Sequence, residues 1–166
     1  RPFDNIVYLK DLRNHTRRSI AFYLPSTGSW GEFDPAMPFA KALGGRETAT
    51  IRLAQEFAKM DWNVGLFCPC PFLFQDGNLV WHPAAMFTGN LKAMSKTYDV
   101  IVSVEDAQIF RRLSAKLHIL HEQCCHLRVL QADKNIDHYF LLSKYQQWSM
   151  RSYDVTINPD KCVIFG

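Results

Sequence analysis

The pattern that most restricts the fold of this chain is a series of short, almost wholly apolar runs separated by polar or amphipathic stretches. Residues 19–24 (SIAFYL), 64–67 (VGLF), 79–81 (LVW), 100–104 (VIVSV), 117–120 (LHIL), 137–142 (DHYFLL) and 162–165 (CVIF) show little in-and-out alternation. Each therefore suits a strand buried on both faces, the habit of parallel sheets. Between them lie stretches with helical character, at 50–60, 90–97, 107–116 and 145–151. Strands alternating with helices predict an α/β fold: a Rossmann-like three-layer domain with a mostly parallel sheet and right-handed crossovers. A length of 166 residues and a hydrophobic fraction of 48% supply the core of one such domain. Residues 1–18, with Ile6 to Leu9 as a candidate edge strand, read as an N-terminal extension, and 19–166 as the domain proper.

Residues 42–67 organise this pattern. Gly44 and Gly45 permit positive φ and close approach of the main chain to a ligand. A helix follows at once, with Glu47 in its first turn, where a carboxylate suits the positive end of the helix dipole. Leu53, Ala54, Phe57 and Ala58 recur at helical spacing and predict one core-facing side. The helix is expected to stop near residues 60–62, with Asn63 ending it. A glycine turn running into a helix start presents backbone N–H groups to an anion such as phosphate, although the same pair of glycines also fits a plain turn. Residues 26–41 and 68–77 read as loops, the first rich in aromatics. Its Trp30, Phe33 and Phe39 suit either stacking on sugar rings or packing the loop onto the domain. His121 and Glu122 follow a predicted strand and are expected at the same sheet edge as the glycine turn, while His118, within that strand, reads as core.

Composition removes several function classes. A net charge of +3, without basic runs interleaved with aromatics, argues against nucleic acid as a partner. No apolar stretch is long enough to cross a bilayer as a helix. Peripheral contact stays open, because Arg13, Arg17 and Arg18 would each contribute about 1 kcal/mol near an anionic leaflet. Five cysteines without a secretion signal favour the reducing cytoplasm and free buried thiols. A metal site built from Cys68, Cys70, Cys124 and His126 is the lesser alternative.

In order, GGRETATIRLAQEFAKMDWNVGLF, YDVIVSVED, KLHILHEQ, DHYFLLSKY and PDKCVIFG resemble the N-terminal domain of family 4 glycosyltransferases with the GT-B architecture, over residues 18–166. The resemblance implies a nucleotide-sugar-dependent, retaining transferase. Its expected partners are a nucleotide sugar and a glycan or lipid acceptor, with no further cofactor and no metal. It implies that His121 contacts the transferred sugar, that Gly45 and the amides around Arg46 approach the donor phosphate, and that Arg46 and Glu47 line the cleft; Gly44 and Glu122, placed at the same edge by the sequence pattern, join them as substrate-binding candidates. The chain departs from the family pattern in two ways. Glu105 and Asp106 stand where many relatives carry a histidine, and the glutamate pair of the C-terminal donor domain does not occur. The expectation is therefore one half of a transferase, inactive without its donor domain. The alternative is a stand-alone Rossmann-type domain that binds a nucleotide or phosphate.

Overall fold

The computed structural model describes residues 17–25, 31–32, 34–40, 43–123, 133–153 and 157–165. The candidate strand at 6–9, together with Arg13, Trp30, Phe33, Cys124, Cys125, His126 and Gly166, lies outside them. In the described residues the fold is α/β. Its strands are β1 (Ser19–Tyr23), β2 (Asn63–Cys68), β3 (Phe74–Asp76), β4 (Leu79–Pro83), β5 (Val100–Val104), β6 (Leu117–Glu122), β7 (His138–Leu141) and β8 (Cys162–Ile164). They form one sheet in the order β3-β4-β2-β1-β5-β6-β7-β8. All neighbours pair parallel except β3 with β4. The helices are α1 (Gly45–Lys59), α2 (Ala84–Thr88), α3 (Leu91–Thr97) and α4 (Lys144–Tyr153).

Burial on both sheet faces explains why the strand sequences are so apolar. Every residue of β1 and β2 is buried. On one face α1 lays Ile51 and Ala54 against Ile20, Phe22, Val64 and Leu66. On the other, Phe87 of α2, Leu91 and Met94 of α3 and Met150 of α4 pack with Ala21, Tyr23, Ile101 and Tyr139. The two faces together give the three layers.

Three local expectations are corrected. Residues 68–77 are not all loop, because Phe74–Asp76 turns back on β4 through Gly77, whose φ of 58° needs no Cβ. Residues 107–116 do not make a full helix. Only a 3-10 turn forms at Ala107–Arg111, capped by the Asp106 side chain accepting from the Gln108 amide. The chain leaves α1 through Asp61, at φ 64°, and not through Asn63, which is already buried in β2. Phe39 lies 4.2 Å beneath the Arg52 guanidinium, which favours packing over ligand stacking for this aromatic. Arg17 pairs with Asp61 at 3.0 Å, and Arg18 lies over the Trp62 ring at 5.6 Å.

His82, on β4, is buried and stacked on Phe67 at 4.5 Å, with neither ring nitrogen hydrogen-bonded. Burial lowers its pKa from 6.5 to about 4. Because the folded protein holds the neutral ring, His82 costs no stability above pH 6.5 and progressively more as pH falls toward 4. Denaturant titrations should show unfolding free energy declining through that window, and His82→Phe should flatten most of the decline. His121, also lowered by burial, would account for a residue of the same sign. An unchanged slope in His82→Phe would contradict this assignment.

Candidate functional site

The sheet order locates the crevice. From β1 the chain first goes outward to β2 and β4, then returns past β1 to β5 and continues the other way. The gap between the carboxyl ends of β1 and β5 is thus the switch point, where open α/β sheets bind ligands. Three stretches border it: the start of α1, the residue after β5, and the end of β6.

Gly44 caps α1 with an extended backbone, φ −66° and ψ 164°, and supplies no side-chain cap. Its carbonyl accepts from the Thr48 amide at 3.0 Å. Neither Gly44 nor Gly45 uses positive φ, so conformational freedom is not what the glycines provide. What Gly45 provides is room: it is exposed, and a Cβ there would meet no atom within 4 Å. The first turn of a 15-residue helix, whose leading amides have no acceptor within the helix, therefore opens onto free space.

Arg46 and Glu47 are held together. Arg46 Nε and Nη2 donate to Glu47 Oε1 at 3.1 and 2.9 Å. Glu47 is only 2% exposed and reaches the crevice through this arginine. Arg46 Nη1 donates across the switch point to Glu105 Oε2 at 2.5 Å. That ion pair joins the start of α1 to the end of β5.

Glu105 is the residue that sequence reasoning undervalued, treating it only as a change of charge. It follows β5 directly and adopts φ 60°, the left-handed region that side chains with a Cβ seldom occupy. Its amide donates to the His121 carbonyl at 3.1 Å. Its Oε1 is buried without a hydrogen-bond partner. The available signal was position, since Glu105 directly follows an apolar strand, and ligands of open α/β sheets sit outside the carboxyl ends of strands.

His121 is the last but one residue of β6, not a residue beyond it, and is 3% exposed. Its Nε2 lies 3.3 Å from Gln123 Nε2, and its Nδ1 has no partner. Burial lowers its pKa, and the nearby Glu105 charge opposes that fall, leaving a ring that is mainly neutral near pH 7. The ring also borders an apolar cavity of about 210 Å³ lined by Phe22, Val102, Ile119 and Phe140.

Glu122 is separated from this group. Alternation along β6 puts it on the opposite face from His121, with Leu120 packed in the core under α4. Its carbonyl accepts from the buried Gln146 side chain at 2.8 Å, and Gln146 Oε1 accepts from the Leu142 amide at 2.7 Å. Glu122 is thereby built into the β6–β7–α4 junction. Cys68 and Cys70 are buried free thiols, and among the described residues no group of three or more histidines, cysteines or carboxylates could hold a metal. No described helix is long and apolar enough to cross a membrane.

No protein-family model matches the chain, and no curated protein matches it in sequence. The crevice offers backbone donors for an anion, an arginine held between two carboxylates, a neutral histidine, and on Glu105 one unused carboxylate oxygen.

Proposed function

We propose that this chain is the acceptor-side, N-terminal half of a retaining, nucleotide-sugar-dependent glycosyltransferase of GT-B architecture. The observation that carries the reading is the open start of α1 at Gly45, tied by Arg46 across the switch point to Glu105 and its neighbour His121. Sugar transfer breaks the bond between the anomeric carbon and the diphosphate, and negative charge grows on the departing oxygen. Fixed amide dipoles at a helix start stabilise such charge without reorganising, and Arg46, held between Glu47 and Glu105, stands beside them. His121, neutral and buried, suits a hydrogen bond to the sugar and not a charge contact with phosphate. A donor domain facing this crevice completes the proposed enzyme.

The test is release of nucleoside diphosphate by the full-length gene product from UDP-glucose, UDP-N-acetylglucosamine and GDP-mannose, with calorimetry on the same compounds. His121→Ala should lower turnover at least about tenfold, the value of a hydrogen bond in a water-excluded site. Turnover at the parent rate in a folded His121→Ala protein would remove this residue from the mechanism. Tight UDP binding by the isolated chain, without transfer by the full-length product, would favour a stand-alone nucleotide-binding domain.

A further inference from the structure

We propose that Glu105 is a specificity-determining residue of this site, which together with His121 recognises one hydroxyl group of the transferred sugar. The inference rests on the sugar-transfer reading for the identity of the ligand, and on four observations for its chemistry. Glu105 is held at the end of β5 in a left-handed conformation, with its amide bonded to the His121 carbonyl at 3.1 Å, so the two residues are locked side by side. Arg46 occupies one carboxylate oxygen, Oε2. The other, Oε1, is buried and accepts from nothing. On His121 the situation is complementary, because Gln123 Nε2 lies 3.3 Å from Nε2 and Nδ1 is buried without a partner.

With the Gln123 amide nitrogen facing it, Nε2 accepts and the ring proton sits on Nδ1. The pair thus presents one unused acceptor and one unused donor from adjacent strand ends. His82 and Tyr98 also bury unpartnered polar atoms, but against packed aromatic rings; Glu105 and His121 differ in lying at neighbouring strand ends beside the switch point, where a ligand can complete the bonding. A phosphate would be repelled by the Glu105 carboxylate. An ammonium group would satisfy Glu105 and oppose the Nδ1 proton. A neutral hydroxyl does both jobs, donating to Oε1 and accepting from Nδ1–H. The crevice is then divided by charge: the anionic diphosphate goes to the start of α1 and the uncharged sugar to Glu105 and His121.

The experiment compares affinities of the full-length gene product for UDP and UDP-glucose, and for GDP and GDP-mannose, by calorimetry. In Glu105→Gln, Arg46 claims the one remaining side-chain oxygen, and an NH2 group replaces the free acceptor. The nucleotide sugar should lose about tenfold relative to the diphosphate, the effect of one lost hydrogen bond to a charged group, and the diphosphate itself should not weaken, because Arg46 keeps Glu47 and loses a competing carboxylate. Glu105→Asp, which keeps the charge and withdraws it by one methylene, should show the same selective loss and guards against a folding defect in the first variant. Equal weakening of diphosphate and nucleotide sugar would assign Glu105 to the scaffold and overturn the proposal, as would no change in either. If the parent protein binds none of the nucleotide sugars, the sugar-transfer reading itself fails. That outcome is read on the parent alone and is distinct from a failure of Glu105.

Discussion

Gly65→Ala should lower the unfolding free energy by about 1–3 kcal/mol, the range for overfilling a packed core, and Gly65→Val should cost more. Gly65 lies in β2 opposite Ala21 of β1 and Val80 of β4. A Cβ there would stand 2.2 Å from the Tyr98 hydroxyl, 2.7 Å from its ring carbon Cζ and 2.9 Å from Phe67 Cε2. The tyrosine has little freedom to yield. It is buried, and Phe67 meets its ring edge-on at 6.0 Å. In a domain of this size each kcal/mol moves the melting temperature by about 2–4 °C, so thermal denaturation is a sufficient assay. A compensating change separates this cause from loss of strand propensity. The Tyr98 hydroxyl is buried without a partner, so Tyr98→Phe alone should be neutral or mildly stabilising, and it should recover part of the loss in Gly65→Ala. A melting temperature unchanged by Gly65→Ala would mean that Tyr98 does not fill the space above β2.

Gly45→Val should have the largest effect on function and little on stability. Nothing lies within 4 Å of the new Cβ, and the position is the first of α1, where the helix gains no hydrogen bond from its amide. Stability should therefore stay within about 0.5 kcal/mol. The branched side chain would occupy the open space in front of the leading amides, where the donor diphosphate is proposed to sit. Loss of a fixed oxyanion donor typically costs about 2.7–4 kcal/mol in the transition state, or a fall in turnover of roughly 10²–10³. Nucleoside diphosphate release by the full-length gene product measures it. Parental turnover in a folded Gly45→Val protein would mean that the glycine pair is only a turn. The two glycines thus make opposite predictions from the same missing atom, one spending the space on packing and the other leaving it for a ligand.

The strands and the central helix were legible because their signals are local. A strand between two layers must be apolar on both faces, so VGLF or VIVSV can be recognised without knowing its neighbours. The helical repeat of α1 likewise foretells that Ala54 is buried and that Leu53, Phe57 and Ala58 pack against the core, although it did not single out Ile51, which is fully buried. The hairpin to β3 was missed because an edge strand of pattern FQD is half exposed and carries no such run, and its clue was the DGN turn alone. The segment 107–116 looked helical by composition, yet Ala107, Ile109, Phe110 and Leu113 are the residues it buries, and a single 3-10 turn suffices to place the first three.

From the chain alone came the α/β class, most of the strands, the position of the glycine-to-helix start, and the suspicion attached to His121. Each of these depends on residues a few positions apart, whose periodicity reports how many faces of an element are covered. Only the folded chain could decide that Arg46 reaches Glu105 from 59 positions away, that His121 is buried inside β6, and that Glu122 belongs to the other face. Those outcomes depend on which strand ends the sheet order makes neighbours, and strand order is set by long-range packing that no local pattern encodes.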